Sequence, residues 1–348
     1  MAKRVKGTAA KGTIAIYASP KCCTSNQLLL YKSYFNVAWF VRAYAPILKG
    51  YRVLATDETI AAINCAFKCG LQAYEKDWKV PHHLDLPLES VGGGFDAQVA
   101  LAAKVADNQL ERVLIFQDPD DVLEHLPEMH AMIRNCTLAN VGLHINAGAT
   151  FWAEARWQEA QPLKGSSGQA LSDYGTWRQP SKVKSLLHEK INPPEQTIAF
   201  IAHDGEKEKM SAFACKYHDI LQSQRLKLTG TSGTCKHILD MHARLGTLPL
   251  TLKGPGSTPH TSHGPTGGDV IIADQIIQKW PHAGAYSVRT EGLSHTVFFF
   301  IDHKHAQPHE ADIHVLLRTC LHPARGVHLI LNEKTAHEWG DTIRKKLL

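Results

Sequence analysis

One strand-and-loop pattern occurs twice at a constant offset, so the chain must fold as two copies of one unit. Thr13-Ile-Ala-Ile-Tyr-Ala18 reappears as Thr197-Ile-Ala-Phe-Ile-Ala202. Val113-Leu-Ile-Phe-Gln-Asp118, followed by His125, Glu128 and Arg134, reappears as Val297-Phe-Phe-Phe-Ile-Asp302, followed by His309, Asp312 and Arg318. Cys136 and Cys320 keep the same offset. The period is far longer than the roughly 20–50 residues of a solenoid repeat, so these are duplicated domains. The second copy carries polar groups at every strand end, and the first has lost half of them. The pattern predicts one working site and one scaffold or regulatory copy.

Both copies alternate short apolar runs with segments of helical period, which predicts an α/β fold with a parallel sheet covered on both faces. In the second copy the expected strands are Thr197–Ala202, Arg225–Leu228, Val297–Ile301 and Val327–Leu331. The expected helices are Glu206–Gln222, Cys235–Arg244, Asp269–Lys279 and Ala311–Cys320. The organisation read from this is a basic tail (1–12), a first domain (13–160), a Gly/Ser/Gln/Pro-rich linker (161–196) and a second domain (197–348). Each domain is long enough to bury an ordinary core.

Several function classes are set aside by composition. No apolar run approaches the ~18 residues of a membrane-spanning helix. The N-terminal basic residues are not followed by an apolar segment, so no secretory signal is expected. The net charge of +5 is spread along the chain among acids, which argues against a specific nucleic-acid surface. Eight cysteines form no CxxC pair, and Cys136 and Cys320 sit in apolar helical settings as small core residues. A cytoplasmic protein is expected. Of the 21 histidines, His303, His305, His309 and His314 lie close together, but their spacing matches no zinc motif and no metal is expected there; no other cofactor is expected either.

In open parallel sheets ligands bind beyond the carboxyl ends of the strands. In the second copy the first strand is followed there by Ala202-His203-Asp204, with Lys207 opening a helix. Next comes Thr229-Gly-Thr-Ser-Gly233, whose hydroxyls and backbone N–H groups at a helix start suit an anion. His263-Gly-Pro-Thr-Gly-Gly-Asp269 follows, with Asp269 at an expected helix N-terminus. Asp302, His309 and Asp312 form the last group, and a carboxylate beside an imidazole fixes its tautomer and charge. Taken singly, these are also helix caps, turns and surface histidines. Taken together, they make a site that binds a small phosphate ester and moves protons.

The second copy resembles methylglyoxal synthase. The matching elements are AHD with Lys207, TGTSG, GPTGGD, and the run Asp302, Pro308-His309, Asp312, Arg318, over about Thr197 to Trp339. The resemblance implies two tandem three-layer α/β/α domains, each with a mostly parallel five-stranded sheet. It implies a carbon–oxygen lyase that converts dihydroxyacetone phosphate to methylglyoxal and phosphate without a metal, and a homo-oligomer. Carried over residue by residue, it makes Lys207, Thr229, Thr231, Ser232 and Gly264 the phosphate ligands. Asp269 becomes the base, His309 the electrophile and Asp312 its orienting carboxylate. Asp204, Asp302 and His203 complete the cluster. The chain departs from the family pattern at His263, at His303 and in an insertion over 253–262 ahead of the glycine loop.

The first copy resembles the family more faintly. It keeps Asp96, Asp118-Pro119, His125 and Arg134, with Glu128 in place of an Asp. Ser19-Pro-Lys-Cys22 replaces the His-Asp pair, and Ala55-Thr-Asp-Glu-Thr59 replaces the hydroxyl loop. Asp57 and Glu58 there would repel a phosphate. The alternative to a lyase is a non-catalytic sensor of a phosphorylated metabolite, since the same fold serves as the allosteric domain of carbamoyl phosphate synthetase. A related enzyme acting on another phosphate ester is a third reading.

Overall fold

The computed structural model describes residues 12–19, 22, 37–68, 86–117, 126–160, 196–222, 226–247, 250–253, 272–273, 276, 295–305, 310–322 and 327–347. The basic tail before Gly12, the linker before Gln196, the insertion after Lys253, His263, Gly264, Asp269, His309, Asp118 and His125 lie outside the described residues.

The first copy contains β1 (Thr13–Ala18), α1 (Val37–Leu48), β2 (Arg52–Ala55), α2 (Asp57–Lys68), β3 (Leu88–Ser90), α3 (Gly94–Ala106), β4 (Arg112–Phe116), α4 (Leu126–Leu138), β5 (Gly142–Ile145) and α5 (Ala147–Ala160). The second contains β6 (Gln196–Ala202), α6 (Lys207–Lys216), α7 (His218–Leu221), β7 (Leu226–Gly230), α8 (Ser232–Leu245), β8 (Leu252–Lys253), β9 (His295–Phe300), α9 (Glu310–Leu321), β10 (Val327–Ile330) and α10 (Glu333–Leu347). The long strands form where Val, Ile and Phe run together, the side chains that fit a pleated, buried surface.

Each copy builds a five-stranded sheet, in the orders β3-β2-β1-β4-β5 and β8-β7-β6-β9-β10. All pairings are parallel. The registers also repeat: Ile14 pairs with Arg112 in the first sheet, as its counterpart Ile198 pairs with Thr296 in the second. Strand order reverses between β1 and β4, and between β6 and β9. Those are the switch points where loops diverge and leave a crevice.

Alternate residues of each strand serve opposite helical layers, because side chains alternate across a sheet. Ile14, Ile16, Val53 and Phe116 pack with α1 and α5. Ile198, Phe200, Phe298 and Ile330 pack with α6, α7, α8 and α10. The remaining faces, including Ala15, Val113 and Ile115 of the first sheet and Val297, Phe299 and Leu329 of the second, fall in one continuous cluster. The two copies therefore share a core. Cys136 and Cys320 are buried in it, as expected for small apolar residues, and burial pushes the Cys136 thiol up to about 12.

The edge strand β5 is covered by α10 of the other copy. Thr335 Oγ1 donates to the Leu143 carbonyl at 3.1 Å and accepts from its N–H at 2.9 Å. Asn332 donates to the Val141 carbonyl at 2.9 Å. These contacts satisfy backbone groups that an open edge would expose. Beside them Arg112, 1 % exposed, donates to Glu338 of α10 at 2.9 Å and pairs with Glu111. Glu338 also meets His144 Nε2 at 3.1 Å, and the Trp152 ring lies 4.9 Å from the guanidinium. Burial alone would raise the Glu338 carboxyl, but His144 and Arg112 hold it well below the usual range.

One expected helix, Glu206–Gln222, is broken. A 3₁₀ turn at Asp204–Glu206 precedes α6, and Tyr217 (φ −107°, ψ 24°) separates α6 from α7. The Tyr217 hydroxyl donates to Asp341 at 2.8 Å and ties the break to α10. Among the described residues no helix is long and apolar enough to cross a membrane.

Candidate active site

The second sheet places its polar loops at the switch point between β6 and β9. β6 leads into buried His203, and β9 leads through Ile301 into buried Asp302. The Asp302 N–H donates to His203 Nδ1 at 3.1 Å, so that nitrogen is an acceptor in this contact. The His203 ring stands edge-on to Phe299. His203 thus joins the two strand ends.

Asp302 accepts the Lys304 N–H on Oδ1 at 2.9 Å and the His305 Nδ1–H on Oδ2 at 2.7 Å. Burial would raise its carboxyl, but His305 and the Lys304 amide outweigh it and hold Asp302 below the ordinary carboxylate range. The 3₁₀ turn passes so close that a Cβ on Gly205 would lie 2.5 Å from Asp302 Oδ2. Only glycine allows that approach. It also brings Asp204 and Lys207 to the same end of the sheet, where they form an ion pair. The Asp204 side chain is 95 % exposed, so the pair adds little stability and leaves the ammonium available for exchange to a ligand.

The start of α8 forms the cradle. Thr231 is its N-cap in extended backbone (φ −64°, ψ 145°), and its hydroxyl meets Thr234 Oγ1 at 2.8 Å. The Thr234 hydroxyl accepts from the Ala202 N–H at 3.0 Å, which fastens the cradle to the end of β6. Ser232 and Gly233 are exposed in the first turn, and Thr229 is half-buried on β7. A Cβ on Gly233 would lie 2.9 Å from Lys207 Nζ. Glycine at this point lets the ammonium sit over the helix N-terminus, where the unsatisfied N–H groups and the helix dipole favour an anion. Asp312 is half-buried in the first turn of α9.

The first copy keeps this cradle's frame and closes it. The sheet register sets Ala55 opposite Ile16 as Gly230 is opposite Phe200, so Thr56 and Thr59 match Thr231 and Thr234. Their hydroxyls meet at 3.0 Å, and Thr59 accepts from the Ala18 N–H at 3.1 Å. The hydroxyl pair is therefore retained, although Ala55-Thr-Asp-Glu-Thr59 replaces the TGTSG loop. Asp57 and Glu58 stand where the second copy has Ser232 and Gly233. Asp57 holds the Ser90 hydroxyl, and Glu58 accepts the Gly94 N–H at the start of α3 at 2.6 Å. A carboxylate of the chain itself thus occupies a helix N-terminus. Titration calorimetry with inorganic phosphate is expected to find one site per chain, and two in D57S/E58G. Two sites in the parent chain would contradict this.

The structure brings together His203, Asp204, Lys207, Thr231 and Asp302, and keeps Thr229, Ser232 and Asp312 on the neighbouring elements. Two contributors were not read from the sequence: Thr234 and His305. Thr234 was within reach, because the Thr-x-x-Thr spacing at 56–59 recurs at 231–234. Arg344, a C-terminal basic residue, is committed elsewhere: it donates to both Asp219 oxygens, at 2.7 and 2.9 Å.

No family model matches the chain. Curated relatives do. Methylglyoxal synthase of Clostridium beijerinckii is 36% identical over 139 residues, 40% of this chain and 92% of that protein. Methylglyoxal synthase of Acholeplasma laidlawii is 37% identical over 123 residues, 35% of this chain and 79% of that protein. A solved structure of methylglyoxal synthase from Elizabethkingia anophelis aligns with 42% of this chain and 78% of that chain at 24% identity and a TM-score of 0.29, too loose a superposition to carry weight.

Proposed function

The chain belongs to the methylglyoxal synthase family, and from that premise we propose that its second copy is a lyase acting on dihydroxyacetone phosphate. Lys207, Thr229, Thr231, Ser232 and Gly264 hold the phosphate. Asp269 takes a proton from the hydroxymethyl carbon beside the carbonyl. The C–H electron pair becomes an enediolate, whose charge His309 stabilises by donating to its oxygens, with Asp312 orienting the imidazole. The enediolate then expels phosphate as the C–O bond at the opposite carbon breaks, and the remaining enol tautomerises to methylglyoxal. Asp204, Asp302 and His203 shape the site beside these groups. The first copy, closed by its own carboxylates, is a scaffold without turnover. The protein acts without a cofactor, as a homo-oligomer in the cytoplasm.

The observation that carries this reading is the second copy's cradle: Lys207 over the open first turn of α8, fastened to β6 through Thr234. That arrangement suits a dianion beside the switch point, which supports the reading. The test is to incubate the purified chain with dihydroxyacetone phosphate and count products. A lyase releases one phosphate and one methylglyoxal per substrate consumed. A sensor binds the ester and returns it intact, and that result would overturn the proposal.

A further inference from the structure

The eroded copy touches the second copy's site. Arg134, exposed on α4 of the first copy, donates through Nε to the His303 carbonyl at 3.4 Å. His303 directly follows Asp302. Around this contact α4 and α9 meet as equivalent partners: His130 and its repeat counterpart His314 lie ring to ring at 4.5 Å. A cavity between the helices is lined symmetrically by His130, Ile133 and Ile145 and by His314, Leu317 and Leu329. The last three are the repeat counterparts of the first three, in the same order. Arg318 is the second copy's version of Arg134, so the arginine that reaches the Asp302 segment comes from the opposite copy.

We propose that Arg134 is a positioning residue for the second copy's site, fixing the backbone that carries Asp302; this rests on the lyase reading above. The segment 302–305 is also fastened to the end of β6 through the Asp302 N–H and His203, and within itself through Asp302 to Lys304 and His305. Arg134 ties it to the α4 helix, a rigid element. A displacement of about 1 Å in a catalytic group lowers a rate by roughly 100-fold. The proposal gives the first copy a reason to retain α4 and Arg134 while its own cradle is closed. Burial first, and then the Arg134 and His130 charges, also bring the His303 imidazole down to about 4, in keeping with a guanidinium beside it.

The test is steady-state turnover of dihydroxyacetone phosphate by R134A and R134K in the full chain. R134A is expected to lose at least about tenfold in kcat with KM within about twofold, because the phosphate cradle is untouched. R134K, which can still donate to the carbonyl, is expected to recover most of the loss. An R134A chain with parental kcat would overturn the proposal. So would a kcat loss accompanied by a lowered unfolding midpoint that R134K fails to restore, since that is a merely structural effect. If the parent chain turns nothing over, the lyase reading fails instead. The contact is then judged by the His303 imidazole resonance, whose titration must move upward in R134A; an unmoved titration would sink it.

Discussion

Glu338→Ala is expected to destabilise the chain by about 3–5 kcal/mol, the usual cost of stranding a buried charge. Arg112 is 1 % exposed, and Glu338 is the carboxylate that meets both it and His144. The Arg112 guanidinium stays charged because Glu338 and Glu111 overcome the burial that would lower its pKa. With Glu338 gone, Glu111 is the carboxylate partner that remains among the described residues. The effect should appear as a lower urea midpoint, with the two copies losing structure at the same denaturant concentration because they share a core. R112M/E338M should recover most of the loss, since apolar residues of similar volume often replace a buried pair at little cost. A loss in E338A below about 1 kcal/mol would show that the junction does not depend on this charge.

Lys207→Met should lower kcat/KM for dihydroxyacetone phosphate by about 100-fold or more, roughly 2.7 kcal/mol, the scale for removing one preorganised charge-stabilising donor. Lys207 is the cation that overlies the α8 N-terminus, and its partner Asp204 is almost fully exposed. Replacing it therefore removes the ligand's counter-charge with little effect on the fold. Inorganic phosphate should weaken as a competing ligand in parallel. An unchanged phosphate affinity, measured by calorimetry, would place the anion elsewhere in the molecule.

Much of this architecture was legible in the sequence because buried parallel strands are continuous apolar runs. Thr197–Ala202 and Val297–Ile301 needed no tertiary information, and the internal repeat implied two sheets of one topology. The order of polar loops at the strand ends was legible for the same reason. The break at Tyr217 was not, because the helical pattern runs through it and its contact with Asp341 lies 124 residues away in the chain. Nor was the junction: Thr335 reaches Leu143 across 192 residues, and no local pattern encodes that contact. The closed cradle of the first copy was half legible. Asp57 and Glu58 announced repulsion, and the shared Thr-x-x-Thr spacing was in reach, but the strand registers were needed to set Thr56 and Thr59 in the places of Thr231 and Thr234. No sequence pattern marked His305: its side chain is 76% exposed, yet one ring nitrogen is engaged by a buried carboxylate.

The most direct test of the account is release of phosphate and methylglyoxal from dihydroxyacetone phosphate by the purified chain, with Asp269→Asn beside it. The account predicts stoichiometric release by the parent, a loss of about 1,000-fold in the variant, the scale for removing a general base, and phosphate binding retained in both. Equal release by the two proteins, or none from either while phosphate is still bound, would contradict it.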